Sequence, residues 1–309
     1  MTTMTHPPRP RLVCLGLSAL DITWQVDALP EGGGKTRAHD VHEGGGGMAA
    51  NAAAAAAKLG ASVQFWGRAG LDGPGEEMKS QLAALDVDVS RFRLFEGARS
   101  SISGIVVDSH GERMIVNFRG ADLPTDAAWL PLEALVDADA VLADPRWPEG
   151  ALALFGAARE RRLPTVLDGD VADAGIFDML LPHTDHAVFS EPGLAGYAGE
   201  ARTVDEQLRF ARARGCRLAA VTLGARGMRW IDAEGLHALP AVAVKAVDTT
   251  GAGDVFHGAF AFALGARWPV RRAFQFSAAV AAIKCTRHGG RAGLPDFATA
   301  MSLVETLQE

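Results

Sequence analysis

The segment Asp248-Thr249-Thr250-Gly251-Ala252-Gly253-Asp254-Val255-Phe256 carries the most specific chemistry in the chain. Small residues and glycines run straight into an apolar helix, so the free N–H groups of its first turn point outward. The helix dipole adds to their attraction for an anion. Asp254 stands in that same turn. A carboxylate beside a bound phosphate is placed to take a proton from an attacking hydroxyl, the base's part in a phosphoryl transfer. The plainer interpretation is a glycine-softened helix start, with Asp254 merely complementing the dipole.

A second cluster, Gly44-Gly45-Gly46-Gly47-Met48-Ala49-Ala50-Asn51, also precedes a helix. It lets a ligand approach the backbone closely, with the Asn51 amide offered from the first turns. Two look-alikes fail. Gly44-x-Gly46-x-x-Ala49 fits a loose dinucleotide fingerprint, but the polar Val41-His42-Glu43 is no buried strand leading into it. Gly34-Lys35-Thr36 ends like a phosphate-binding loop, yet its required earlier glycine falls on Leu29.

These loops need a frame. Arg11–Leu17 reads as a buried strand, and Met48–Leu59 as an alanine-rich helix stopped by Gly60. Val63–Gly67 is a strand and Glu76–Leu85 a helix, followed by the strand pair Ser103–Asp108 and Arg113–Phe118. Alternation then sets in: strand Ala140–Ala143, helix Ala151–Arg161, strands Thr165–Asp168 and Ala187–Phe189, helix Val204–Arg214, strand Leu218–Leu223. A hairpin, Gly227–Ile231 with Leu236–Ala238, precedes helices Ala252–Leu264 and Val270–Cys285. This order predicts an α/β fold, a mostly parallel sheet covered on both faces. The broken stretch at 22–43 and the hairpin region at 100–121 do not fit that layer and are expected to form a small β lid. No internal repeat or long linker divides the 309 residues, so one domain over 1–309 is expected.

Composition bounds the partners. The chain has 30 Lys and Arg against 37 Asp and Glu, a formal charge of −7, which argues against a nucleic-acid-binding protein. Hydrophobic content of 48% and charged content of 22% are globular values. Cys14, Cys216 and Cys285 have no paired spacing, which suits a reducing cytoplasm and offers neither a disulfide framework nor a zinc site. No secretory signal or membrane span is visible, and a cytoplasmic location is expected.

The motifs Gly46–Asn51 and Asp248–Asp254, in that order, resemble the ribokinase-like (PfkB) family of carbohydrate kinases. Asp21 after the first strand and Val221-Thr222-Leu223-Gly224-Ala225-Arg226-Gly227 add to the likeness, which extends from Arg11 to about Pro295. The resemblance implies a three-layer sandwich with a β lid, and transfer of the ATP γ-phosphoryl group to a sugar hydroxyl. It implies Asp254 as base and Gly251, Ala252 and Gly253 as anion hole. Asp21, Asn51 and the Gly45, Gly46 and Gly47 backbone would hold the sugar, while Thr222, Gly224 and Gly227 would line the nucleotide site. Asp248 and Thr250 fall where such enzymes often bind a monovalent cation, typically K+. One departure stands out: the family's Asn-x-x-Glu motif, which organises Mg2+, is replaced by Ser190-Glu191-Pro192-Gly193. Glu191, Asp168 and Asp170 are then the candidate carboxylates for Mg2+, since phosphoryl transfer without a metal is improbable on charge grounds.

Several runs resemble one branch of that family, the bacterial kinases that phosphorylate C1 of 6-deoxy-6-sulfofructose: Ala143–Trp147, Leu167–Asp170, Phe189–Leu194, Lys284–Arg287 and Gly289–Gly293. A sulfonate requires a guanidinium or ammonium and several N–H donors. Arg146, at a strand end, is the leading donor, with Asn117 on the lid and Lys35 near the glycine turn as partners. Against this, Arg146 can pair with Asp144 or another carboxylate, and Lys35 can be a solvated loop charge. A ribokinase or fructokinase acting on a plain sugar, or a silent sugar-binding regulator on the same fold, are the alternatives. Open strand edges on the lid predict a homodimer through it.

Overall fold

The computed structural model describes residues 9–306. In chain order the first half contains β1 (Arg11–Gly16), β2 (Ala19–Gln25), β3 (Asp40–Gly46), α1 (Met48–Lys58), β4 (Ser62–Gly70), α2 (Gly73–Ala83), β5 (Val87–Asp88), β6 (Phe92–Phe95), β7 (Ile102–Val107) and β8 (Arg113–Phe118). The second half contains β9 (Ala140–Ala143), α3 (Pro148–Glu160), β10 (Thr165–Gly169), α4 (Ala174–Leu180), β11 (His186–Ser190), α5 (Glu191–Ala198), α6 (Val204–Arg212) and β12 (Leu218–Thr222). It closes with β13 (Met228–Ile231), β14 (Leu236–Leu239), α7 (Ala252–Gly265), α8 (Val270–Cys285) and α9 (Phe297–Thr306).

A ten-stranded sheet runs β14-β13-β12-β11-β10-β9-β1-β4-β5, with β6 also paired to β4. All its pairings are parallel except those of the β12–β13–β14 edge. Strand β1 shows why helices must cover both faces. Its side chains alternate, Leu12 and Cys14 entering one core and Val13 and Leu15 the other. The first core holds α1, α7, α8 and α9, and the second holds α3 to α6. This is the three-layer sandwich expected from the alternation.

A separate four-stranded sheet has the order β3-β2-β7-β8. Its β2–β3 and β7–β8 pairs are antiparallel, and β2–β7 is parallel. It uses the two regions set aside in the sequence, although β2 begins at Ala19. Gly44, Gly45 and Gly46, read as a loop, form the end of β3 instead.

Helix α1 is the hinge between sequence and site. Ala49, Ala50 and Ala52–Ala56 are all buried, and their small side chains let another helix come close. That helix is α7: a Cβ on Gly258 would lie 2.2 Å from the Ala52 carbonyl oxygen. Asn51 adjoins Ala52 and Asp254 lies one turn before Gly258, so helix packing brings them together.

Candidate active site

Asn51 Nδ2 donates to Asp254 Oδ2 at 2.8 Å. Burial, joined by the nearby Asp168 charge, pushes the Asp254 carboxyl up to about 8, while the Asn51 bond and His257 act in the other direction. A carboxyl with that affinity for protons is suited to accept one from an alcohol near neutral pH. Gly251, at φ +70°, turns the chain into α7. The amides of Gly251, Gly253 and Asp254 find no acceptor among the described residues, whereas Ala252 N–H donates back to Thr249 O at 3.2 Å. The expected anion hole therefore keeps its two glycines, while Ala252 has its donor engaged by the turn itself.

Across the small sheet, Asp21 faces Ser103 and Ser103 faces Asn117, a polar row on one side. Ser103 bonds to Asp21, and Asn117 Nδ2 donates to Ser103 Oγ at 3.1 Å. Burial raises the Asp21 carboxyl above its ordinary value against the pull of Ser103 and Arg291. Arg291 completes this wall. Its Nε donates to Asn51 Oδ1 at 2.8 Å and its Nη2 to Gly46 O at 2.9 Å, so it fixes the Asn51 amide with its NH2 toward Asp254. Its Nη1 is buried without a hydrogen-bond partner. Burial pulls this guanidinium down to about 10, with Asp21 and Asp254 opposing. Asp21, Gly45, Asn51, Thr250, Gly251 and Arg291 line one cavity. Lys35 does not reach it. The polar, glycine-rich connection between β2 and β3 stays exposed and leaves Lys35 in solvent.

The carboxyl ends of the parallel strands supply the other wall, as is usual in open α/β sheets. Fully buried Asp144, just past β9, accepts from the amides of Leu17 (2.7 Å), Ala49 (3.0 Å) and Arg146 (2.8 Å). It thus clasps β1, α1 and its own turn. The Arg146 guanidinium donates to Val171 O at 2.8 Å and to Asp170 Oδ2 at 3.3 Å. Arg146 is therefore paired with a carboxylate, Asp170 rather than Asp144. Asp170 Oδ1 also accepts from Ser190 Oγ at 3.0 Å. Thr222, Gly224 and Gly227 lie at the end of β12, where a Cβ on Gly227 would come within 2.2 Å of Leu239 O.

The three candidate carboxylates for Mg2+ differ sharply. Asp168 is 3% exposed, its Oδ2 has no hydrogen bond, and His257 Nδ1 lies 3.4 Å away. Burial and the charges of Asp144 and Asp170 push it well above the ordinary range. It is nearly enclosed. Glu191 is tied to Arg226 in an exposed pair. Asp170, whose side chain is 38% exposed, is likewise paired, with Arg146 and Ser190. No cluster of three or more His, Cys, Asp or Glu side chains among the described residues is placed to hold a metal.

His257 stands behind Asp254. Its Nδ1 faces Gly253 O at 2.7 Å and its Nε2 faces Val188 O at 2.9 Å. A neutral ring can donate to only one of these carbonyls. Burial nevertheless pulls the ring toward neutrality.

Two further groups fix the anion loop. Lys284 Nζ, from the end of α8, donates to Asp248 O at 3.0 Å and lies 3.3 Å from Asp248 Oδ2. Arg113, from β8 of the small sheet, donates to Thr249 Oγ1 at 2.8 Å and also to Thr250 Oγ1. The sequence reading assigned roles to none of Ser103, Arg113, Lys284 and Arg291. Lys284 left a signal as a charge in register with the buried Ala273, Ser277 and Val280 of α8, and both it and Arg291 fall in the runs that resemble the sulfofructose branch.

A half-buried carboxyl with raised proton affinity, open helix N-terminal amides and a polar wall at the carboxyl edge of an α/β/α sandwich fit a phosphotransferase acting on a polyol. The sequence profile of the pfkB family carbohydrate kinases matches residues 9–296, and the chain belongs to that family. It is an ATP-dependent sugar kinase. Among its relatives, the ATP-dependent ribose-1-phosphate kinase of Halopiger xanaduensis is 28% identical over 96% of this chain and 98% of its own length. The ribokinase of Bacillus subtilis is 28% identical over 92% and 96%. A crystal structure assigned as a ribokinase from Agrobacterium tumefaciens superposes with a TM-score of 0.92 at 36% identity, covering 97% of this chain and 99% of that one. Arabidopsis thaliana ribokinase, solved with ribose and ATP, shares the fold at a TM-score of 0.84 and 24% identity, over 96% and 99%. Among the described residues, no helix is long and apolar enough to cross a membrane.

Proposed function

We propose that the chain transfers the ATP γ-phosphoryl group to a primary hydroxyl of a ketose, with C1 of 6-deoxy-6-sulfofructose as the acceptor. The Asn51–Asp254 contact carries the chemical part of this reading. Asp254 accepts the hydroxyl proton as the Gly251 and Gly253 amides meet the charge on the transferred group. Asp21, Ser103 and Asn117 hold sugar hydroxyls, and Thr222, Gly224 and Gly227 border the nucleotide. Mg2+ bound to the ATP phosphates would neutralise charge on the transferred group. Asp170 is the protein carboxylate proposed to hold it, in competition with Arg146.

An anionic acceptor is favoured by the Arg291 Nη1 donor, buried and unpaired on the cavity wall. Arg146 supports it less directly, since a sulfonate there competes with Asp170 for the guanidinium. The ribokinase relatives favour a second reading, a ribose-type acceptor. Measuring kcat/KM for sulfofructose, fructose, ribose and ribose 1-phosphate separates the two. Preference for sulfofructose by tenfold or more is expected, and equal or better use of a ribose would overturn the assignment. Arg146→Ala should then reduce turnover of the sulfonated sugar far more than that of fructose.

The small sheet is proposed to act as a lid and as the contact of a homodimer. Strand β8 is a fully exposed edge carrying Met114, Ile115 and Val116. A monomeric mass in solution would contradict the dimer.

A further inference from the structure

Lys284 is 1% exposed, and its ammonium is among the most deeply buried charges in the protein. Burying an ammonium is costly unless its hydrogen atoms find oxygens. Here the oxygens are both from Asp248, the main-chain carbonyl at 3.0 Å and Oδ2 at 3.3 Å. The remaining carboxylate oxygen, Oδ1, accepts from Thr250 N–H at 2.9 Å and folds the loop back on itself. The amides of Val247 and Asp248 donate to Cys285 O at 2.8 and 3.1 Å, so the end of α8 holds the same two residues from the other side. Lys284 also lines the cavity that contains Asn51, Gly251 and Arg291.

These contacts bear on the monovalent cation implied at Asp248 and Thr250. An ion there needs oxygens free to coordinate it. All three Asp248 oxygens are committed to donors of the chain itself, and the Thr250 hydroxyl is taken by Arg113. The donor set does not fit a K+ ion. It fits the ammonium already present, a singly charged group of similar size that is covalently attached.

We infer that Lys284 is a built-in monovalent cation, which shapes the Asp248–Gly253 loop and supplies positive charge behind the anion hole, so that the kinase needs no K+. Lys284 is a positioning residue: it acts on the reacting phosphoryl group only through Asp248 and the loop amides. Bonds from the Thr250 amide and hydroxyl and from Lys284 hold the Asp248 carboxyl below its ordinary value although burial opposes them. That agrees with an anion whose counter-ion is always in place.

The test varies the monovalent ion at constant ionic strength, with tetramethylammonium as the inert reference against Na+, K+, Cs+ and NH4+. The wild type should turn over equally in all of them, within about twofold. Lys284→Ala opens a cavity at Asp248, and its kcat should fall at least tenfold in tetramethylammonium and recover saturably with NH4+ or K+. Lys284→Met fills the space without charge and should stay impaired in every salt. Severalfold K+ activation of the wild type would overturn the inference, as would a folded Lys284→Ala that no ion restores. A second readout does not depend on the acceptor sugar. Crystals soaked in Rb+ should show no anomalous peak at Asp248 in the wild type and one in Lys284→Ala. Failure of the sugar assignment alone would leave this result intact.

Discussion

Helices α1 and α7 pack against each other, and each has a glycine as its N-cap, yet their N-termini have opposite fates. At α1 the first amides are already used: Ala49 N–H donates to Asp144 Oδ2 and Ala50 N–H to Leu17 O. The protein supplies its own anion there. At α7 the amides of Gly251, Gly253 and Asp254 are left for an anion from outside. The glycines differ accordingly. A Cβ on Gly46 would lie 2.1 Å from Asp21 Oδ2, and one on Gly47, at φ +92°, would lie 2.5 Å from Leu17 O. A Cβ on Gly253 would meet nothing within 4 Å. Glycine thus makes room for the protein at one helix and for the ligand at the other.

The contrast yields graded tests. Asp254→Asn removes the base at the open end and should lower kcat by about a thousandfold or more in a coupled ADP assay. In the wild type, kcat/KM should rise with pH through about 8, as the Asp254 carboxyl gives up its proton. Folding raises this group from 3.8 to about 8, so its contribution to stability is full below pH 3.8 and is lost as pH rises through 8. Asp254→Asn should therefore melt above the wild type at pH 8, with the gap closing toward pH 4. A variant that melts lower at pH 8 would count against the buried, proton-hungry carboxyl.

Asp144→Ala removes the acceptor at the closed end and leaves three amides without a partner, at a cost of about 3 kcal/mol or more in urea unfolding. If it lost turnover while keeping its stability, the division between the two helix ends would collapse. Gly46→Ala forces Asp21 aside and should raise the sugar KM roughly tenfold while leaving the ATP KM unchanged. Gly253→Ala has the smallest expected effect: a gain of about 0.5 kcal/mol in stability, as for other relaxed Gly→Ala changes in helices, with a fewfold drop in kcat. A drop in melting temperature would show that the open end is more crowded than it looks.

Much of the frame was legible because periodicity reports burial directly. Helix α8 occupies Val270–Cys285 as read from its apolar spacing, and β9, β10 and β12 match within a residue or two. Helix α5 was not legible, since Glu191-Pro192-Gly193 reads as a turn. Ser190 caps the helix by accepting from Gly193 N–H, and proline suits a first turn. In the site, Asp254 and Asn51 announced themselves through local motifs. Arg291 did not, for it meets Asn51 across 240 residues of sequence. Ser103 matters only through its register with Asp21 and Asn117, and register between distant strands is set by the fold. Asp168 looked like a metal ligand by type, but its strand carries it into the sheet interior, where it faces His257.

The Arg113 bridge between β8 and the Thr249-Thr250 pair also has a meaning in time. Both bonds must break before the small sheet can swing away from the anion loop. In the lid proposed above, they would add about 1 kcal/mol to the cost of each opening. A sugar entering the empty enzyme would wait for that opening, and its on-rate would fall with the opening's rarity.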